Sequence, residues 1–236
     1  MQPNFYRVGA GAGMVGAALG IVFNILHPRD SDAFDSAAAE LQLVADSDIW
    51  KFDHVVLFWA VLIGFVGVMA IGFSMANTAG ELWARAAVVF AGVSTAVGTV
   101  LLAIDGAAIH ALANQAAGDE SLLSGALAVV EVNTALFAAL IATFFGITPL
   151  LFGEAFLASG TYSKNLGYIE LLGGAIGILT AVIVAFDGLS TLTAMVMFPI
   201  ASLLHTLVLF LASWTLWKRA PTMGTVTTTP TTTTTV

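Results

Sequence analysis

Six apolar stretches, each about the length of a membrane-crossing helix, constrain this chain more than any other feature. A spanning helix needs about 20 consecutive, mostly apolar residues. The stretches cover 6–26, 55–75, 83–104, 131–152, 167–186 and 190–217, with nearly all charged residues at or beyond their ends. In hydrocarbon the backbone N–H and C=O groups have no water to bond, so each segment must satisfy its own as a helix. Composition agrees. Of 236 residues 58% are hydrophobic and only 9% charged, where a soluble domain carries about 25% charged residues. The expected fold is all-α: a polytopic bundle of six transmembrane helices over residues 1–219. A Thr-rich tail, 220–236, follows that cannot bury apolar area and is expected to be disordered.

Two embellishments are predicted. The third and fourth helices keep an apolar pattern past the membrane boundary, to about Leu112 and back to about Ser121. At 1.5 Å per residue that hairpin stands ~15 Å proud of the bilayer, turning at Gly118, Asp119 and Glu120. In the first loop, Phe34, Ala37, Ala38, Leu41, Val44 and Ala45 follow helical spacing. That pattern predicts a short amphipathic helix on the membrane surface, capped by Ser31 or Asp32, with Ser47 or Asp48 capping the second span.

Charge sets the expected orientation. Arg7, Arg85, Lys164, Lys218 and Arg219 share the side of the termini, and the opposite side has only Arg29 and Lys51 among its basic residues. The excess of basic residues marks the cytoplasmic side, so both termini are expected in the cytoplasm, with the bundle in the cytoplasmic membrane. Twelve of the fifteen acids fall on the outer face, which therefore attracts cations. The net charge of −8 and the lack of a basic cluster argue against nucleic-acid partners. With no cysteine, disulfides and thiolate metal sites are excluded. The first apolar run is long enough to span and has no clear cleavage site after it, so it reads as a helix rather than a signal peptide. Gly9/Gly13, Gly16/Gly20, Ala60/Gly64 and Gly173/Gly177 repeat small residues at four-residue spacing. Such faces let helices approach closely, within this chain, in a homo-oligomer or against a partner membrane subunit.

Ionisable groups gather at one depth, the outer boundary: His27, His54 beside Asp53, Asp105, Glu131 and Asp187, with Asn24 and Asn133 just below and His110 just above. Imidazole and carboxylate groups converging from several helices can hold Zn, Cu or Fe. His27, His54, Asp105, His110 and Glu131 are the candidate metal ligands, and His54 and His110 could instead be axial ligands of a haem. A proton-sharing network of the same groups is a third possibility, and ordinary interfacial polarity a fourth. Asp105 and His110 lie five residues apart, so one ideal helix would not aim both at one ion, although a break at Gly106 could correct this.

Deeper in the bundle, His205 lies mid-span, where an imidazole usually faces the interior. Pro199 frees the carbonyl of Met195 nearby. Either His205 makes one interhelical hydrogen bond, with Thr95, Thr99, Thr180 or Ser202 as partner, or it belongs to a polar intramembrane site with Glu170 and Asp187. Glu170 either snorkels to the inner interface or faces inward on the same path.

No catalytic motif is present. A six-span serine protease of the rhomboid kind needs a Gly-x-Ser-Gly serine, a retinal protein needs a mid-span lysine, and neither they nor a phosphate-binding loop occur. The run Ile25-Leu26-His27-Pro28-Arg29-Asp30, followed by Leu43 to Trp50 and His54, resembles a pattern in small six-span membrane proteins of unknown function from actinobacteria and archaea. The resemblance covers the first loop and the start of the second span, and implies a six-helix fold without implying chemistry. Three functional classes stand open: an accessory or complex-forming membrane subunit, a metal- or haem-binding redox component with an outward-facing His/carboxylate site, and a small transporter or channel using His205.

Overall fold

The computed structural model describes residues 3–31 and 36–222. Among them the chain forms seven helices and no strand: α1 (Pro3–Leu26), α2 (Ala37–Asp46), α3 (Trp50–Phe73), α4 (Glu81–Ala116), α5 (Leu123–Ser159), α6 (Lys164–Asp187) and α7 (Thr193–Arg219). All but α2 are long and apolar enough to cross a bilayer, and the protein is a multi-pass membrane protein. Large apolar side chains such as Val8, Val89, Leu172, Phe186 and Trp214 are exposed on the outside of the bundle, where lipid is their natural solvent.

Consecutive spans pack side by side and α7 closes the ring against α1. The α1–α3 seam is built on glycine. A Cβ at Gly16 would stand 2.4 Å from the Gly64 nitrogen, and one at Gly67 would stand 2.2 Å from the Gly13 Cα. The small-residue faces of α1 and α3 are thus consumed inside the chain, and Gly177 likewise admits the Phe145 carbonyl of α5. That carbonyl belongs to the residue four before Pro149, whose ring nitrogen cannot bond it.

Three helices widen for one turn into i→i+5 geometry: α4 at Ile104–Ile109, α5 at Ile141–Ile147 and α7 at Thr193–Met197. The last two stand directly before Pro149 and Pro199, and a widened turn is one way a helix accommodates a proline. The Met195 carbonyl that Pro199 frees lies within the last of these turns.

The α4–α5 hairpin does extend beyond the spans. α2 buries Leu41 and Val44 against Trp50, Ile109, Ala113, Ala126 and Val130, so its apolar stripe covers the base of the hairpin rather than facing lipid. Its cap is Ser36, whose side chain accepts from the Ala39 N–H at 3.2 Å, not Ser31 or Asp32. Neither Ser47 nor Asp48 caps α3, which starts after Ile49 without a side-chain cap. Asp32, Phe34 and the Thr-rich tail beyond 222 lie outside the described residues.

Candidate functional site

The acidic end of the bundle holds a half-open chamber of about 180 Å³ between α1, α3, α4, α5 and α7, with Glu40 and Leu43 of α2 on its wall. Its mouth is polar, with Asn24, His27, Arg29, Glu40, His54, Asp105 and Asn133. Its depth is apolar, ending on Phe145 and Phe198. Each widened turn contributes to its wall: Asp105 from α4, Phe145 from α5 and Ala194 from α7.

Local structure explains how His54 is held. It lies one turn into α3, and its Nδ1–H donates to the Trp50 carbonyl at 2.8 Å. The Trp50 ring stacks on it with centroids 4.7 Å apart. Trp50 Nε1 in turn donates to the Asp105 carbonyl at 3.1 Å, tying α3 to the widened turn of α4. Gly106 makes the approach possible, because a Cβ there would lie 2.4 Å from the His54 Cβ. His54 Nε2 then faces Asp105 Oδ2 at 3.2 Å. His27, at the end of α1, sets its Nδ1 2.7 Å from Asp53 Oδ2. Asp53 is 1% exposed, and its Oδ2 lies 3.8 Å from His54 Nδ1. His27, Asp53, His54 and Asp105 therefore form one cluster of two close pairs, His27 with Asp53 and His54 with Asp105.

Several acceptors around it are unsatisfied. Asp53 Oδ1, Asp105 Oδ1 and Asn133 Oδ1 are buried without a hydrogen-bond partner. A buried acceptor left unpaired costs about 1–3 kcal/mol, and two of the three belong to chamber-lining residues, Asp105 and Asn133, which favours an occupant that donates or carries positive charge. Glu40 reports the same excess of negative charge. Burial first, then the neighbouring Asp105 and Glu131 carboxylates, push its carboxyl up to about 7. Arg29, half-buried, donates to Asn24 Oδ1 at 2.8 Å. Burial pulls its guanidinium below the usual arginine range, and Asp53 opposes that.

The sign of the Glu40 effect is testable. Its carboxyl is harder to ionise in the folded protein than in the unfolded chain. Stability is therefore unaffected below about pH 4.5, falls as pH rises toward about 7, and stays reduced above it. Glu40→Gln is expected to flatten thermal stability across that window and to raise Tm at pH 8 by on the order of 3 °C, about the effect of 1 kcal/mol in a chain this size. A pH profile unchanged from wild type would refute the assignment.

The other residues singled out from the sequence lie elsewhere. His110 is half-buried, and Asn114 Nδ2 bonds its carbonyl at 2.7 Å and stands 3.4 Å from its ring nitrogen. The widened turn does not carry it into the chamber. Glu131 is exposed on α5, and Asp187 is exposed at the end of α6. His205 meets Glu170, both 2% exposed, with Nδ1 3.0 and 3.1 Å from the two carboxylate oxygens. Thr95 and Thr180 bond carbonyls of their own helices instead. Arg29, Glu40 and Asp53 were not among the candidates. Glu40 reads as the polar face of an amphipathic helix, and only the docking of α2 over the chamber turns it inward.

Comparison with protein-family models, with curated proteins and with solved structures finds no match. The fold and site define a six-span membrane protein with a polar-mouthed chamber at its acidic end.

Proposed function

We propose that this chain binds a divalent transition-metal ion at the outer face of the cytoplasmic membrane, through His54 Nε2, Asp105 and His27 Nε2. The outward orientation follows from the basic residues at the opposite end. The observation that carries the reading is the 3.2 Å separation of His54 Nε2 and Asp105 Oδ2. Two ligands bound at 2.0–2.2 Å, roughly a right angle or slightly more apart, stand about 3.2 Å from each other. Both imidazoles have Nδ1 anchored, His54 on the Trp50 carbonyl and His27 on the Asp53 carboxylate. Anchoring one ring nitrogen on a carbonyl or carboxylate is how proteins aim the other at a metal. The group whose ligand atoms lie within 4.8 Å of one another is His27, Asp53 and His54, and Asp105, outside that group, joins it through its contact with His54 Nε2. The 2.7 Å contact of Asp53 to His27 is a hydrogen bond, so Asp53 orients His27 rather than ligating.

Two imidazoles and a carboxylate suit zinc or iron. Haem fits less well, since a cavity of about 150 Å³ takes one benzene ring and this chamber is only slightly larger. The accessory-subunit reading loses its main support, because the glycine faces of α1 and α3 are spent on each other. The transport reading rests on His205 and Glu170. The void beside them is about 10 Å³, at the lower limit for one water, and Phe145 lies between His205 and the chamber.

The test is metal content after equilibration of the detergent-purified protein with zinc and removal of free ion. About one zinc per chain is expected, falling to near zero in His54→Ala. Asp53→Asn, which leaves all three ligands, is expected to weaken binding by about 10–100-fold, the usual cost of losing an orienting carboxylate. Retention of zinc by His54→Ala at the wild-type level would sink the reading.

A further inference from the structure

The metal proposal leaves most of the chamber unused. Below the polar mouth its wall is hydrocarbon, including Leu57, Leu101, Phe137, Phe145 and Phe198. At the junction of the two halves stands Asn133, 5% exposed, lining the chamber with its Oδ1 unpartnered. A purely apolar ligand would leave that acceptor unsatisfied, and water alone would leave the hydrocarbon wall uncovered. Both surfaces are matched by one molecule that carries an O–H donor on an apolar ring. The size agrees, because a cavity of about 150 Å³ walled by leucine, isoleucine and phenylalanine holds one benzene ring. Phe137 and Phe198 meet edge-to-face with centroids 4.9 Å apart, and Phe145 and Phe198 at 5.3 Å. These rings offer an aromatic guest the tilted contacts that such rings favour.

We infer that the chamber binds a phenol-type head group, its ring among Phe137, Phe145 and Phe198 and its hydroxyl donating to Asn133 Oδ1. This names the molecule that shares the site of the metal reading without depending on metal, since Asn133 is not among the three proposed ligands. A membrane-soluble phenol or hydroquinone would place its head here and let its apolar remainder follow the hydrocarbon wall.

The experiment is calorimetric titration of the full-length protein in detergent, with EDTA present, using 4-propylphenol and its methyl ether 4-propylanisole. The ether has the same ring and tail but cannot donate. The phenol is expected to bind saturably and about tenfold tighter than the ether, because the ether leaves the buried amide oxygen unpaired. Asn133→Leu is expected to abolish that preference, and Leu101→Trp, which fills the chamber, to abolish binding of both. Equal affinity for phenol and ether in the wild-type protein overturns the inference, as does no saturable phenol binding. Neither outcome requires a variant to fold. Because EDTA is present, failure here leaves the zinc measurement standing, and failure of the zinc measurement leaves this one standing.

Discussion

Replacing Glu170 with leucine is expected to destabilise the bundle by about 3 kcal/mol, the upper range for a buried polar group left without its hydrogen-bond partner. Glu170 and His205 lie in the middle of the helix bundle, both 2% exposed. Both carboxylate oxygens lie within 3.1 Å of one imidazole nitrogen. The other, Nε2, is buried with no partner, so His205 would have nothing left to bond. The surroundings are apolar, with Phe144 edge-on to the imidazole at 5.2 Å and Val68, Phe152 and Val208 around the pair. A buried pair replaced as a whole by apolar residues is often neutral or stabilising. The double variant Glu170→Leu/His205→Leu is therefore expected to recover most of the loss. Reversible unfolding in bicelles, run as a double-mutant cycle, measures both. Single variants within about 0.5 kcal/mol of wild type would show that the pair contributes no coupling, since ordinary interhelical hydrogen bonds in membranes average only about 0.6 kcal/mol.

The second large effect is expected from a single methyl group. Gly106→Ala would put a Cβ 2.4 Å from the His54 Cβ, and a normal carbon–carbon contact needs roughly 1 Å more. Neither atom is the far end of a flexible side chain, so α3 and α4 must separate. The separation strains the Trp50–Asp105 hydrogen bond and the His54–Asp105 contact together. Overpacking of this kind costs about 1–3 kcal/mol, and zinc affinity is expected to fall at least tenfold. Gly125→Ala provides the control, because a Cβ there meets nothing within 4 Å. Thermal unfolding and zinc titration of both variants read the effect. A Gly106→Ala protein that binds zinc like wild type would show that the two helices are not held in the contact described.

The six spans, the α4–α5 hairpin and the existence of α2 were legible in the sequence because length and apolar periodicity fix them locally. Depth was legible too: His27, His54 and Asp105 were placed at one boundary by counting residues along each span. Rotation about each helix axis was not legible. Glu131 and Asp187 share the predicted depth of His54 but face outward, and nothing in a helix rich in Ala, Val and Leu distinguishes its lipid face from its inner face. The same gap left the pairing of Glu170 with His205, 35 residues apart, as one of two readings, because a carboxylate one turn inside a span reads equally well as snorkelling. The glycines held more information than their spacing alone conveys. Gly106 shows where α4 must touch α3, but only once His54 stands opposite it. Pro149 marked a widened turn as Pro199 did, and the Gly177 that receives the freed Phe145 carbonyl is its counterpart on α6.

Zinc-edge X-ray absorption on the loaded, detergent-purified protein puts the proposed site to its most direct trial. Two imidazole nitrogens and carboxylate oxygen at about 2.0–2.2 Å, with no bound-zinc signal left in His54→Ala, is the expected spectrum. A shell of oxygen alone, unchanged by that substitution, would mean that the histidines of α1 and α3 do not meet around an ion.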